Sequence, residues 1–192
     1  MPSASEPTTT FDTIPRIWLL MGVCGCGKTA VGEVLAQRLG APFVDADKLH
    51  PPGNVAKMSA KIPLTDTDRQ PWLERVRREV IDATPPGSVT VLGCSALKRD
   101  YRRVLMDGAP GVRLIHLHGP EELLAARLAA RKGHFMPPAL LTSQLATLEP
   151  PDVEEGATVS IEGSVEEVAQ RCLESDYRFR ASISEESPTS YL

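Results

Sequence analysis

The 192-residue chain has no apolar run approaching the roughly 18 residues that a membrane-spanning helix needs. It also lacks a basic block. Its 21 Lys and Arg against 25 Asp and Glu leave a formal charge of −4, which argues against nucleic acid as the main partner. The four cysteines, Cys24, Cys26, Cys94 and Cys172, form no C-x-x-C pair, and no histidine cluster completes a zinc site. Free thiols in a reducing compartment are therefore expected. Residues 1–15 are rich in Ser, Thr and Pro but lack the apolar centre of a secretory signal, and they read as a flexible leader. Internal repeats and low-complexity linkers are missing too. An apolar content of 42% is ordinary for a globular protein, and the length suits one α/β domain better than two.

The chain is organised around Gly22-Val23-Cys24-Gly25-Cys26-Gly27-Lys28-Thr29, which fits the phosphate-binding pattern G-x-x-x-x-G-K-S/T. A strand-length apolar run, residues 16–21, precedes it. Val31, Val34, Leu35 and Leu39 follow at helical spacing. In that setting the glycines let main-chain N–H groups turn onto phosphate oxygens, and the helix N-terminus adds its positive end. Residues 22–30, ending at Ala30, form the expected nucleotide cradle, with Lys28 reaching the β- and γ-phosphates and Thr29 offering its hydroxyl to Mg²⁺. The pattern implies a nucleoside triphosphate.

Downstream, strands are expected over 42–47, 88–94, 112–117 and 158–161. Helices are expected over 55–60, 69–83, 97–106, 120–130, 139–148 and 165–173, with Thr65 as a helix cap. This alternation predicts a parallel sheet covered on both faces, a three-layer α/β domain over residues 16–177 with a loose tail over 178–192. The second strand ends in Asp45-Ala46-Asp47, and ligands of open α/β sheets bind at the carboxyl ends of strands. Alternation along a strand puts both carboxylates on one side, one for the metal shell and one for an acceptor hydroxyl. The competing reading of the pair is a helix cap or a solvated turn. No Asn-Lys-x-Asp guanine reader follows, which disfavours a GTPase and favours a small-molecule kinase.

Longer blocks are more specific. Residues 45–51 (Asp-Ala-Asp-Lys-Leu-His-Pro), 54–58, 62–73, 94–102 (opening Cys-Ser-Ala-Leu-Lys), 133–138 (opening Gly-His-Phe) and the Gln144-to-Pro150 segment together resemble the gluconokinase family from about Ile17 to Cys172. The resemblance implies a nucleoside-monophosphate-kinase-like P-loop fold with a five-strand parallel core, a lid near residues 131–138 and a homodimer. It also implies phosphorylation of D-gluconate by ATP with Mg²⁺, feeding the pentose phosphate pathway. On these expectations Thr29 and Asp45 organise the metal, Asp45 directly or through water. Asp47 orients the 6-hydroxyl and accepts its proton. Arg127 lies near the adenine and Arg131 near the phosphates. Gluconate is an anion with many hydroxyls, so its site needs a cation and polar partners. Lys98 and Arg102, one helical turn apart, are expected to face that crevice, with His50, Lys57 and Arg69 next and His134 in the lid.

Two departures stand out. Cys24 and Cys26 replace the two serines that the resembling family usually carries in the loop, where a thiol beside Lys28 is a candidate for ready oxidation. The C-terminal Ser190-Tyr191-Leu192 resembles a peroxisomal signal but has Tyr where a base belongs, so a cytoplasmic location is expected. Competing assignments are a shikimate kinase, a nucleotide kinase and a non-catalytic nucleotide-dependent regulator. The Cys94-to-Lys98 block argues against the first. The second lacks a recognisable further nucleobase pocket. The third is disfavoured by the intact Lys28, Thr29, Asp45 and Asp47 and by the lid arginines Arg127 and Arg131.

Overall fold

The structure, a computed structural model, describes residues 16–60, 62–109, 111–130 and 138–185. Five strands form one parallel sheet: β1 (Ile17–Met21), β2 (Phe43–Asp45), β3 (Thr90–Gly93), β4 (Val112–His118) and β5 (Ala157–Ser160), in the order β2-β3-β1-β4-β5. Seven α-helices connect and cover them: α1 (Lys28–Leu39), α2 (Pro52–Ser59), α3 (Asp66–Val76), α4 (Arg99–Met106), α5 (Glu121–Ala129), α6 (Pro138–Thr147) and α7 (Val165–Glu185).

The central strand explains the three layers. All five residues of β1 are buried, so it needs apolar cover on both faces. Trp18 and Leu20 join a core with Val31 and Leu35 of α1, Leu124 and Leu128 of α5, and Val168 and Cys172 of α7. Ile17, Leu19 and Met21 join the opposite core with Trp72, Leu73 and Val76 of α3 and Leu105 of α4. The period-two alternation of a strand divides these side chains between the two faces. The parallel register aligns Leu20 with Gly93 on one side and with Ile115 on the other. Asp45 of β2 stands level with Gly93, so the carboxyl ends of β1, β2 and β3 open along one edge.

Local chemistry sets the helix ends. Thr65 caps α3 through a reciprocal box: the Asp68 N–H donates to Thr65 Oγ1 at 3.2 Å, and the Thr65 N–H donates to Asp68 Oδ2 at 2.9 Å. The expected continuous helix to residue 83 differs from the structure, in which α3 gives way after Val76 to a π turn, Arg77–Ile81. The wider turn brings both Val80 and Ile81 to the interior, while Arg77 donates to the Leu105 and Asp107 carbonyls at 3.2 and 2.9 Å. The closing helix is also longer than expected. It continues to Glu185, through part of the segment read as tail. Among the described residues, no helix is long and apolar enough to cross a membrane.

Candidate active site

The phosphate loop joins β1 to α1. Gly27 caps α1 at φ 94°, a left-handed conformation that L side chains rarely adopt. Gly22, at φ 141°, has no room for a side chain: a Cβ there would stand 2.7 Å from the Leu117 carbonyl oxygen. Lys28 folds back across the loop, its Nζ donating to the Gly22 carbonyl at 2.8 Å and the Val23 carbonyl at 3.1 Å. Thr29 and Ala30 are exposed in the first turn of α1. Cys26 is fully buried, its Sγ 3.9 Å from Lys28 Nζ, whereas Cys24 is half-buried. All four cysteines are free thiols. The Cys24 N–H donates to Gln144 Oε1 of α6 at 2.6 Å, 120 residues away in sequence. Sequence reasoning gave Gln144 no part in the site.

Asp45 and Asp47 do not both lie on the strand. β2 ends at Asp45, and Asp47 sits in a 3-10 turn, Ala46–Leu49, that Asp45 caps: the Asp47 N–H donates to Asp45 Oδ1 at 3.1 Å. The helix-cap reading of Asp45 therefore holds alongside its position at the sheet edge. Crowding by the crevice walls and the charge of Asp45 push the Asp47 carboxyl upward in pKa, and Lys28 and Arg69 pull it back. The side chain nevertheless keeps 71% of its surface open, so the push is that of an open crevice and not of a sealed interior.

The basic candidates separate sharply. Lys98, the cap residue of α4, donates to both carboxylate oxygens of Asp66 at 2.8 and 2.7 Å, and Tyr101 Oη donates to the same carboxylate. Lys57 Nζ donates to Asp68 Oδ1 at 2.6 Å, and this contact, ahead of the Thr65 donors, holds the Asp68 pKa down to about 2. Arg69 of α3 lies 5.9 Å over the Tyr101 ring, and its charge reaches both Asp47 and His50. Among the described residues Arg69 makes no ion pair. His50 is no cation: its ring is buried against Trp72 at a centroid distance of 4.0 Å, and burial, assisted by Arg69, lowers its pKa to about 4.

Arg102 overturns an expectation. It is fully buried: its Nε and Nη2 donate to the two oxygens of Glu155 at 2.5 and 2.8 Å. Its Nη1 lies within 3.3 Å of the Ala96 and Leu97 carbonyls and 2.8 Å from that of Glu149. With its donors used and no accessible surface, it does not face the crevice with Lys98. Instead it braces the turn after β3, where Ala96 holds a left-handed φ of 44° at zero exposure. Arg127 of α5 donates to the Ile161 carbonyl at 2.8 Å, and its Nη1 lies 3.8 Å from where a Cβ on Gly27 would stand, beside the phosphate loop. Arg131, His134 and the lid expected near 131–138 lie outside the described residues, apart from Pro138 at the start of α6.

A phosphate loop opposed by carboxylates across the edge of a 2-3-1-4-5 parallel sheet defines the class of P-loop kinases of small molecules. A family model described as shikimate kinase matches residues 24–176. The thermosensitive gluconokinase of Escherichia coli K12 is 43% identical over 157 residues, covering 81% of this chain and 84% of that protein. The gluconokinase of Gluconobacter oxydans is 47% identical over 151 residues, covering 79% and 85%. The crystal structure of a gluconokinase from Sinorhizobium meliloti 1021 superposes with a TM-score of 0.80 at 41% identity, covering 91% of this chain and 99% of its own. The chain belongs to the gluconokinase family.

Proposed function

We propose that the enzyme transfers the γ-phosphoryl group of ATP to the 6-hydroxyl of D-gluconate, giving 6-phosphogluconate and ADP. The observation that carries this reading is the position of Asp47 in the turn that Asp45 caps at the carboxyl end of β2, largely open to solvent and within reach of the charges of Lys28 and Arg69. A carboxylate at that edge, beside the phosphate loop, meets an acceptor hydroxyl where the phosphoryl group arrives.

The main-chain N–H groups of residues 22–29 hold the triphosphate, and Lys28 leaves its carbonyl partners to neutralise charge on the transferring group. Asp47 orients the hydroxyl and takes its proton, with alignment carrying most of the effect if the transition state is loose. Arg69 receives the gluconate carboxylate, and Lys98 with Tyr101 and Asp66 supplies polar partners for its hydroxyls. Arg127 stays on the nucleotide side, next to Gly27 and the turn after β5.

Magnesium fits the donors present. Among the described residues no group of three or more His, Cys, Asp or Glu gathers for a metal. Mg²⁺ bound chiefly through phosphates and water needs no such cage, only the exposed Thr29 hydroxyl and the Asp45 carboxylate. When bound, the ion supplies charge neutralisation at the phosphates.

ADP release measured by a coupled assay with MgATP tests the reading against D-gluconate, shikimate, AMP and no acceptor. Turnover with gluconate alone is the expected result. Turnover with shikimate instead would keep the phosphate-loop roles and overturn the substrate. ATP binding without turnover on any acceptor would favour a regulator. The homodimer and the cytoplasmic location implied by the family belong to the same proposal. Light scattering tests the first, and imaging a fluorescent fusion with and without residues 190–192 tests the second.

A further inference from the structure

The acceptor-side wall contains a hydrogen-bonded chain that the mechanism above leaves unused. It starts at the main-chain carbonyl of Asp68 in the first turn of α3. Asn54 Nδ2 donates to that carbonyl at 2.8 Å and lies 3.2 Å from His50 Nδ1. Asn54 is 5% exposed, so water does not replace these partners. Turning the amide over would set its oxygen against the Asp68 carbonyl, acceptor against acceptor, so the carbonyl fixes which way Asn54 points. One amide hydrogen goes to Asp68 and the other to His50 Nδ1, which must then present a lone pair. The single proton of the neutral ring sits on Nε2.

The ring plane is fixed as firmly as the tautomer. His50 stacks on Trp72 with an interplanar angle of 18°, and Trp72 Nε1 donates to the Ala46 carbonyl at 2.8 Å. Nε2 consequently lies 4.0 Å from Asp47 Oδ1, on the side of the ring away from Asn54. That separation exceeds a direct hydrogen bond, and a small tilt of the carboxylate or an intervening hydroxyl oxygen closes it. In the other tautomer a nitrogen lone pair would face the carboxylate.

We propose that Asn54 is a positioning residue for the phosphoryl transfer: it holds His50 as the Nε2–H tautomer, so that a fixed N–H donor steadies Asp47 and the acceptor hydroxyl that Asp47 orients. The proposal rests on the reading of Asp47 as the group that meets the acceptor.

The long-range ¹H–¹⁵N spectrum of the full-length labelled protein reads the tautomer directly, with the His50 signals identified by their loss in His50→Gln. The expected pattern is a protonated Nε2 and an unprotonated Nδ1 in the unsubstituted protein. Protonation at Nδ1 would overturn the proposal without any variant. Asn54→Asp keeps the shape but offers only acceptors when ionised, and it should move the proton to Nδ1. With it, kcat for gluconate should fall about tenfold or more while KM for ATP holds, because orientation and not nucleotide binding is lost. Asn54→Ala should give mixed tautomers and an intermediate kcat. Unchanged kcat in Asn54→Asp with the tautomer reversed would also overturn the proposal. If the unsubstituted enzyme does not turn over gluconate, the substrate reading fails, and the tautomer assignment is then judged on the spectrum alone.

Discussion

The two ends of the crevice are built by different means. The phosphate end is a run of eight consecutive residues shaped by the backbone conformation at Gly22 and Gly27, and its proposed ligands are main-chain N–H groups. The acceptor end draws on the turn after β2, α2, α3 and the segment after β3, and its side chains are held by one another. Lys57 is tied to Asp68, Asn54 to both Asp68 and His50, and Lys98 to Asp66. A backbone cradle tolerates exchange of its side chains, whereas a side-chain lattice transmits each exchange to its neighbours. The two thiols in the loop and the left-handed Ala96 after β3 belong to these contrasting designs.

Substitutions can break this contrast at several strengths. Asp47→Asn should lower kcat for gluconate by about 100- to 10,000-fold, the range for losing a positioned proton acceptor. A comparable ATP affinity in the variant, measured by fluorescence titration, would confine the loss to the acceptor end.

Arg102→Leu should destabilise the fold by about 3–5 kcal/mol in urea unfolding, since Glu155 and the Ala96, Leu97 and Glu149 carbonyls lose their buried partner. Lys98→Ala should leave stability nearly unchanged, because its pair with Asp66 is solvent-screened, and should raise KM for gluconate instead. The reverse pattern would restore Arg102 as a substrate ligand.

Acid should weaken the fold through two buried rings on the face of the sheet that α3 and α4 cover. Burial lowers His50 and His116 from the ordinary 6.5 to about 4, with His118 and Arg102 adding to the effect on His116. A depressed folded-state pKa means that the unfolded chain binds the proton first. The stability is therefore present above pH 6.5 and is lost as pH falls toward 4. Each ring should contribute about 1–2 kcal/mol of loss between pH 7 and pH 5, and His116→Gln should remove roughly half of the difference in urea midpoint. A midpoint independent of pH over that interval would contradict the lowered values.

The smallest effect belongs to the loop. Replacing Cys24 and Cys26 together by serine should change kcat and KM for ATP by less than about threefold, or about 0.7 kcal/mol. A larger change would show that side chains, and not only the main chain, shape the cradle. An oxidant should distinguish the two thiols, because Cys24 is half-buried and Cys26 is fully enclosed.

The same contrast explains what could be read before the fold was known. The loop from Gly22 to Thr29 is contiguous, and its glycines, strand and helix sit next to one another in the chain. The alternation of strands and helices gave the parallel sheet, and Thr65 with Asp68 gave a helix start, for the same local reason. Lys98 and Arg102 were indistinguishable by spacing: two basic residues one turn apart on a helix. What separates them is Glu155, 53 residues further on, together with the carbonyl of Glu149. Nothing local to Pro51-Pro52-Gly53-Asn54 shows that the Asp68 carbonyl stands across from Asn54. The 3-10 turn that displaces Asp47 from the strand depends on Asp45 capping its neighbour's N–H, an alternative that strand alternation did not resolve.

The amide oxygen of Gln144 on the Cys24 N–H gives the loop a tethered rival to every incoming anion. Being part of the same chain, it competes at a fixed effective concentration however dilute the enzyme is. A lone sulfate or phosphate ion must displace it with few contacts of its own, whereas a triphosphate engages several N–H groups and Lys28 at once. A ligand that engages several N–H groups at once is therefore expected to displace the Gln144 oxygen more readily than a single small anion does.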